Sequence, residues 1–482
     1  MKKASIKKNF LYQMVYEILI LILPFVTSPY IARVIGVEGL GTYSYSYSVA
    51  FYFVLFSMLG LKNHGNREIA QKRDDVNSLN QTFSDLFAVH AIVSVFVLIV
   101  YVIYVLMLKE DQIYAVIQIA FVLSGFFDIS WLYFGIEKFK LTVTISSITK
   151  ILNVICIFAF IRTKDDLWIY CLIMALGMLF SQLALWVPLR KYVHFVKPDF
   201  AGMRKHIKPI LILFIPAVAV SVYRYMDKIM LGLLSDNIQL GYYENAEKVV
   251  NIPITVITAF GTVMLPKMSN LAIKDNAREV RRYISLSMQF VMCLALALTF
   301  GLLSVAPVFA PVFWGEEFTF SGTLIMGLSF TIPFISFANV IRTQYLIPNK
   351  KDKEYLFSVI AGAVINLIIN LILIPIYGSI GAMIGTIAAE ITVCLIQTLV
   401  VKKKLPIISY LKSFAWFIVV GVLMFVIVYM FGYINNVSVL TLILQVLIGV
   451  LFYSICSLIY FLMSKNEIVI NLIDKLKGMI KK

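Results

Sequence analysis

Charge is scarce in this 482-residue chain: Asp, Glu, Lys and Arg make up 14% of it, where soluble domains carry about a quarter. Long hydrophilic stretches are missing too, the longest lying near 62–81 and 190–208. No separate soluble domain can be assembled from them, so the activity belongs to the apolar part of the chain. The GxxxxGK[ST] phosphate loop is absent, which excludes this mode of nucleotide binding and leaves gradients, membrane potential or substrate concentration as the source of energy. The five cysteines, Cys156, Cys171, Cys293, Cys394 and Cys456, all fall within apolar stretches with no paired or ligand spacing; they read as small packing residues. Of four histidines only His90 falls inside an apolar run. With no carboxylate or cysteine at ligand spacing, it also reads as packing.

What is present is apolar surface: 61% of residues are hydrophobic and the mean hydropathy is +0.90. No soluble fold buries that much. The apolar residues fall into stretches of about 20 or more, the length a helix needs to cross about 30 Å of hydrocarbon. Spans are expected near 9–33, 42–61, 82–108, 113–136, 142–161, 167–189, 209–234, 249–266, 284–312, 321–345, 356–376, 380–401, 413–432 and 438–463. The start MKKASIKK is basic, as in a signal peptide, but the run after it is long, contains Pro24 and Pro29, and leads to no small-residue cleavage site. It is expected to remain as the first span.

The net charge of +16 is distributed unevenly. Assigned to alternate sides, 33 of the 42 Lys and Arg share the side of the termini, and five lie opposite (Arg33, Lys109, Arg162, Lys164 and Lys248). Four more, Lys150, Arg224, Lys228 and Arg342, fall inside spans. The positive-inside rule then places both termini in the cytoplasm of a multi-pass cell-membrane protein, and the basic surplus is a topology and anionic-lipid signal rather than a nucleic-acid one.

An internal echo links GVEGLGTYS at 36–44 with SDNIQLGYYENAEK at 235–248, with Leu40, Gly41 and Tyr43 falling 200 residues before Leu240, Gly241 and Tyr243. Each follows the first span of a group of six, and six spans preserve orientation. Two lobes related by a pseudo-twofold along the membrane normal are therefore expected, a transporter plan. The expected layout is an N-terminal lobe over 1–190, a cytoplasmic linker over 191–208, a C-terminal lobe over 209–402, and an appended span pair with a basic tail over 403–482.

Several segments resemble the Wzx-type polysaccharide flippases of the multidrug/oligosaccharidyl-lipid/polysaccharide (MOP) exporter superfamily: PYIARVIGVEGLGTYSYSYS (29–48), MLGLKNHGNREIAQKRD (58–74), DISWLYFGIEKFK (128–140), YRYMDKIMLG (223–232) with LGYYENAEK (240–248), and PIYGSIGAMIGTIAAE (375–390). The first three are the more specific; the last two also resemble the wider superfamily. The resemblance implies an all-α membrane fold of the MOP type. It also implies an oligosaccharide carried on a polyprenyl (undecaprenyl) diphosphate and moved by alternating access, with polymerase and chain-length machinery as further partners.

An ionisable group deep in a span is costly and usually faces a cavity or a partner. Arg224, Asp227 and Lys228 fall at i, i+3 and i+4 of the seventh span, and a guanidinium grips diphosphate oxygens in a bidentate way. Arg224 is thus the leading substrate contact, the alternative being that it and Asp227 neutralise each other. Lys150 and Arg342, one in each lobe, are candidates to line a cationic cavity; Arg342 can also reach the interface, and Arg33, at the outer end of the first span, reads as an interface anchor ahead of a ligand. Tyr45 and Tyr52, in a tyrosine-rich span entrance, suit sugar stacking or an aromatic belt. Glu17, Asp128, Asp227 and Glu390 are candidate proton or sodium sites, with a structural hydrogen bond beside Gly381 and Gly385 as the alternative for Glu390. No cofactor or metal is expected.

Two rival functions share these features. A multidrug antiporter of the same superfamily would want an acidic, apolar cavity for organic cations, whereas the midspan charges here are mixed and Lys150, Arg224 and Lys228 are prominent. A membrane polymerase or ligase needs a sizeable outer loop for catalytic groups, and every outer segment is about 20 residues or shorter. A non-enzymatic flippase is the favoured reading.

Overall fold

A computed structural model describes residues 6–273 and 276–463, excepting the side chains of residues 6–21, Val220, Tyr223, Arg224 and Ala277. Every regular element among them is helical. The chain divides into two compact units, one ending at Gly241 and one starting at Tyr242.

The first unit contains α1 (Ile6–Met58), α2 (Leu61–Lys72), α3 (Val76–Met107), α4 (Gln112–Phe126), α5 (Ser130–Gly135), α6 (Phe139–Phe160), α7 (Leu167–Trp186) and α8 (Phe200–Leu234). The second continues α9 (Asn237–Ile273) and adds α10 (Ala277–Trp314), α11 (Thr319–Ser329), α12 (Thr331–Ile341), α13 (Asp352–Tyr377), α14 (Ser379–Val401), α15 (Ile407–Ile434) and α16 (Val439–Met463). Among the described residues twelve helical segments are long and apolar enough to cross a bilayer. The first of these, Ile22–Lys72, is long enough for one crossing on each side of Gly36, and the 35-residue α8, which is not among the twelve, is long enough for a further one. The count so read is the expected fourteen.

One boundary differs from expectation, and one span is interrupted. Residues 34–41 were expected as an outer loop, yet α1 runs through them with Gly36 as its only non-helical residue (φ 79°, ψ 176°). That backbone conformation is open to glycine at little cost. Gly39 and Gly41 look like helix breakers but instead allow close approach, Gly39 to Ile35 and Leu167, and Gly41 to the Asn237 carbonyl. The second echo segment is likewise helix from Asn237 onward. The fourth span covers Gln112–Gly135 as expected but is interrupted inside: α4 stops at Phe126, and Asp128 sits in the break before α5, where it accepts the Ser130 N–H at 2.8 Å. A carboxylate there satisfies a donor that the interrupted helix leaves unpaired.

The connector from α7 to α8 is held by one face of α3. Asn80, Ser84 and Asp85 are buried and accept the backbone N–H groups of His194 (2.9 Å), Val196 (3.0 Å) and Asp199 (2.8 Å). An extended connector has no internal ladder, so these side chains supply the partners its donors need.

In the second unit, α13 and α14 pack so closely that a Cβ on Gly385 would lie 2.0 Å from Asn370 Oδ1, and one on Gly381 2.5 Å from the Leu373 backbone. Small residues at such contacts are how membrane helices associate without a hydrophobic driving force. The closing pair α15 and α16 packs on α10, with Gly421 against the Phe300 ring and the Tyr453 hydroxyl donating to the Cys293 carbonyl at 2.9 Å. Much of both helices stays uncovered, Leu423, Ile427, Leu447 and Leu451 among it, as expected of surfaces solvated by lipid.

Candidate functional site

A polar cavity of about 610 Å³ lies inside the first unit. On α6 its wall is a stripe of Thr142, Ser146, Thr149, Lys150 and Asn153, at i, i+4, i+7, i+8 and i+11, which is one face of a helix. Facing residues come from α7 (Gly177, Ser181 and Gln182), from α1 (Pro24 and Thr27), from the α4–α5 break (Asp128) and from α2 (Lys62). Ser146 and Ser181 meet across the helix pair at 3.5 Å. Gly177 leaves room for Asn153: a Cβ there would sit 2.3 Å from the Asn153 amide nitrogen.

The lining thus carries two ammonium groups, one carboxylate, and several hydroxyls and amides. Such a surface offers donors and positive charge to an anionic, hydroxyl-rich ligand. Lys62, Asn153 and Gln182 were not among the residues the sequence singled out. The α6 stripe was legible in LTVTISSITKILN as a polar period of 3.6, whereas Lys62 lies just past a span end and gives no signal of facing inward.

A second cluster joins α1 to α8. The Phe51 and Tyr225 rings stack at 4.0 Å, Tyr47 stacks on Phe121 at 4.9 Å, and Tyr43 lies 5.8 Å from Tyr47. Tyr52 donates to the Ser221 carbonyl at 3.2 Å, with the Asp227 carboxylate nearby. Tyr45 packs against Gly232, whose missing side chain leaves space for the ring. These tyrosines therefore spend their faces and hydroxyls largely on helix packing. Asp227 is buried, and Lys228 sits over the Tyr225 ring at 5.4 Å, a cation–π distance.

The other expected residues are dispersed. Arg33 is exposed. Glu390 is buried in α14, where neighbouring Thr386 bonds the Tyr243 hydroxyl at 2.8 Å. Arg342 opens a π-turn over Arg342–Leu346 and stacks 5.6 Å from Tyr355; π-turns recur at functional sites. His90 is buried and edge-on to Phe87. Glu17 and the Arg224 side chain lie outside the described residues. Among the described residues no group of three or more His, Cys, Asp or Glu is placed to hold a metal ion.

Residues 6–272, more than half of the chain, match the family model described as polysaccharide biosynthesis protein. The chain belongs to that family. It is 25% identical over 407 residues to a protein from Escherichia coli (strain K12) named as an O-antigen transporter, covering 82% of this chain and 96% of the relative. A Shigella dysenteriae protein named in the same way is 22% identical over 82% of this chain and all of its own length. Among solved structures, the lipid II flippase MurJ in an inward closed conformation aligns with a TM-score of 0.75 at 17% identity, over 94% of this chain and 98% of its own. An inward-facing multidrug transporter of the MOP superfamily aligns at 0.62 and 13%, over 83% and 96%. The fold of this family member is therefore the MOP fold, and the chain is a multi-pass membrane protein.

Proposed function

We propose that this protein is a flippase that carries polyprenyl-diphosphate-linked oligosaccharide units from the cytoplasmic to the outer leaflet for surface polysaccharide synthesis, by alternating access and with both termini in the cytoplasm. The observation that carries the reading is the lining of the first-unit cavity, where Lys62 and Lys150 outnumber Asp128 among serine, threonine, asparagine and glutamine side chains. A diphosphate needs cationic donors to leave water, and a sugar chain needs hydroxyl and amide partners. A cavity for organic cations would carry the opposite balance. The names of the relatives in Escherichia coli and Shigella support the same substrate class. Proton or sodium coupling through Asp128, Asp227 or Glu390 is compatible with this scheme.

The test is accumulation of lipid-linked repeat units on the cytoplasmic side, at matched protein levels in the membrane. Lys150→Gln is expected to raise that accumulation and Lys150→Arg to raise it less. Arg224→Lys is expected to impair export as well, because a point charge does not reproduce the guanidinium fork. Normal export by Lys150→Gln and Lys62→Gln together would remove the cavity from the substrate path.

A further inference from the structure

One face of α8 carries a stripe whose chemistry is complementary to a phospholipid. Arg204, Ile207, Lys208, Leu211, Ile212 and Ile215 line an open groove of about 410 Å³, and all six side chains are exposed. Their spacing, i, i+3, i+4, i+7, i+8 and i+11, places them on a single face. The opposite face is engaged within the protein: His206 and Ile210 are buried, His206 Nδ1 lies 2.9 Å from His64 Nε2, and Gly60 admits the Ile210 carbonyl. The stripe is therefore left uncovered within the first unit.

We propose that this groove is a binding site for one anionic phospholipid, its phosphate held by Arg204 and Lys208 and an acyl chain laid along Ile207, Leu211, Ile212 and Ile215. Charge is the first argument: the lining holds two cations and no carboxylate, and it sits where the basic 190–208 segment enters a span, the depth of a headgroup phosphate. Length is the second. Eleven residues of helix rise about 16 Å, close to half of the roughly 30 Å hydrocarbon thickness, so the stripe is as long as one leaflet is deep. A polyprenyl carrier, whose chain runs far past one leaflet, would leave most of itself off the stripe. A comparable groove on α13 and α14, lined by Lys353, Glu354, Phe357, Ile396, Leu399 and Val400, pairs its cation with an acid and lacks this charge balance.

The experiment measures the melting temperature of the full-length protein in detergent during titration with phosphatidylglycerol, phosphatidylcholine or a polyprenyl phosphate, because a ligand that binds only the folded state stabilises it. Phosphatidylglycerol is expected to give a saturable rise and phosphatidylcholine none. The Arg204→Gln, Lys208→Gln double variant should shift the phosphatidylglycerol midpoint by about thirtyfold, the equivalent of about 1 kcal/mol per interfacial cation. Lys353→Gln should leave it in place. Leu211→Gln, which keeps both cations, should weaken it by a smaller factor. An unshifted midpoint in the double variant, an equal response to phosphatidylcholine, or an Arg204- and Lys208-dependent response to the polyprenyl phosphate alone would each overturn the proposal. None of these readouts depends on transport.

Discussion

Gly41 and Gly241 make reciprocal contacts: a Cβ on Gly41 would lie 1.7 Å from the Asn237 carbonyl oxygen, and one on Gly241 would lie 2.0 Å from that of Val37. Positions 37 and 41 thus meet positions 241 and 237 inside the first unit. The Leu-Gly-x-Tyr echo marks this contact. Asn237 adds a hydrogen bond from its amide to Thr42 Oγ1 at 3.0 Å.

Both glycines face backbone, which cannot rotate away as a side-chain end can. Gly41→Ala and Gly241→Ala are each expected to lower stability by about 1–3 kcal/mol, the usual range for overpacking, read as a fall in melting temperature of the purified protein. Gly301, with nothing within 4 Å of its hypothetical Cβ, supplies the contrast. Gly301→Ala should be neutral or stabilising, since alanine suits a helix interior better by roughly 0.5–1 kcal/mol.

A pH effect is expected from the histidine pair that ties α2 to α8. Arg67 Nη2 lies 3.3 Å from His64 Nδ1, and arginine only donates, so Nδ1 accepts and the His64 proton sits on Nε2, donated to His206 Nδ1. Neither ring can gain a proton without setting donor against donor. Burial, with the neighbouring His206 adding to it, pushes His64 down to about 4, and burial also lowers His206. Glu68 faces both rings and opposes the shift, as Asp85 does for His206, while Arg67 and Lys205 add to it. When a histidine pKa is lower in the folded state, the unfolded chain binds more protons between the two values. Stability is then full above about pH 6.5 and falls as the pH drops toward 4. Melting temperatures at pH 7.5 and pH 5 should show that drop, and the His64→Asn, His206→Asn double variant should show a smaller one; an undiminished drop would mean the pair is not its source.

Topology has its own check. In a chain whose five cysteines are replaced, Asp236→Cys should react with a membrane-impermeant thiol reagent added to sealed cells, and Lys403→Cys should react only after permeabilisation. Labelling of position 403 from outside would reverse the orientation drawn from the Lys and Arg distribution.

The sequence by itself determined the class of the protein and its all-helical, multi-pass architecture. Bilayer thickness sets span length, and the charge alternation and the polar stripe of α6 are periodicities that no tertiary contact needs to supply. What the tertiary structure decided was which residues share a wall. Asp128 sits in a helix break inside the fourth span, Lys62 faces the cavity from just past a span end, and the tyrosines of 43–52 pack on α4 and α8. Side-chain direction at a helix end depends on where the next element turns back. A glycine reads the same in sequence whether it breaks a helix, as Gly36 does, or admits a neighbouring backbone, as Gly41 does. The reason is physical: close packing is a property of two surfaces, and a single sequence window contains only one of them.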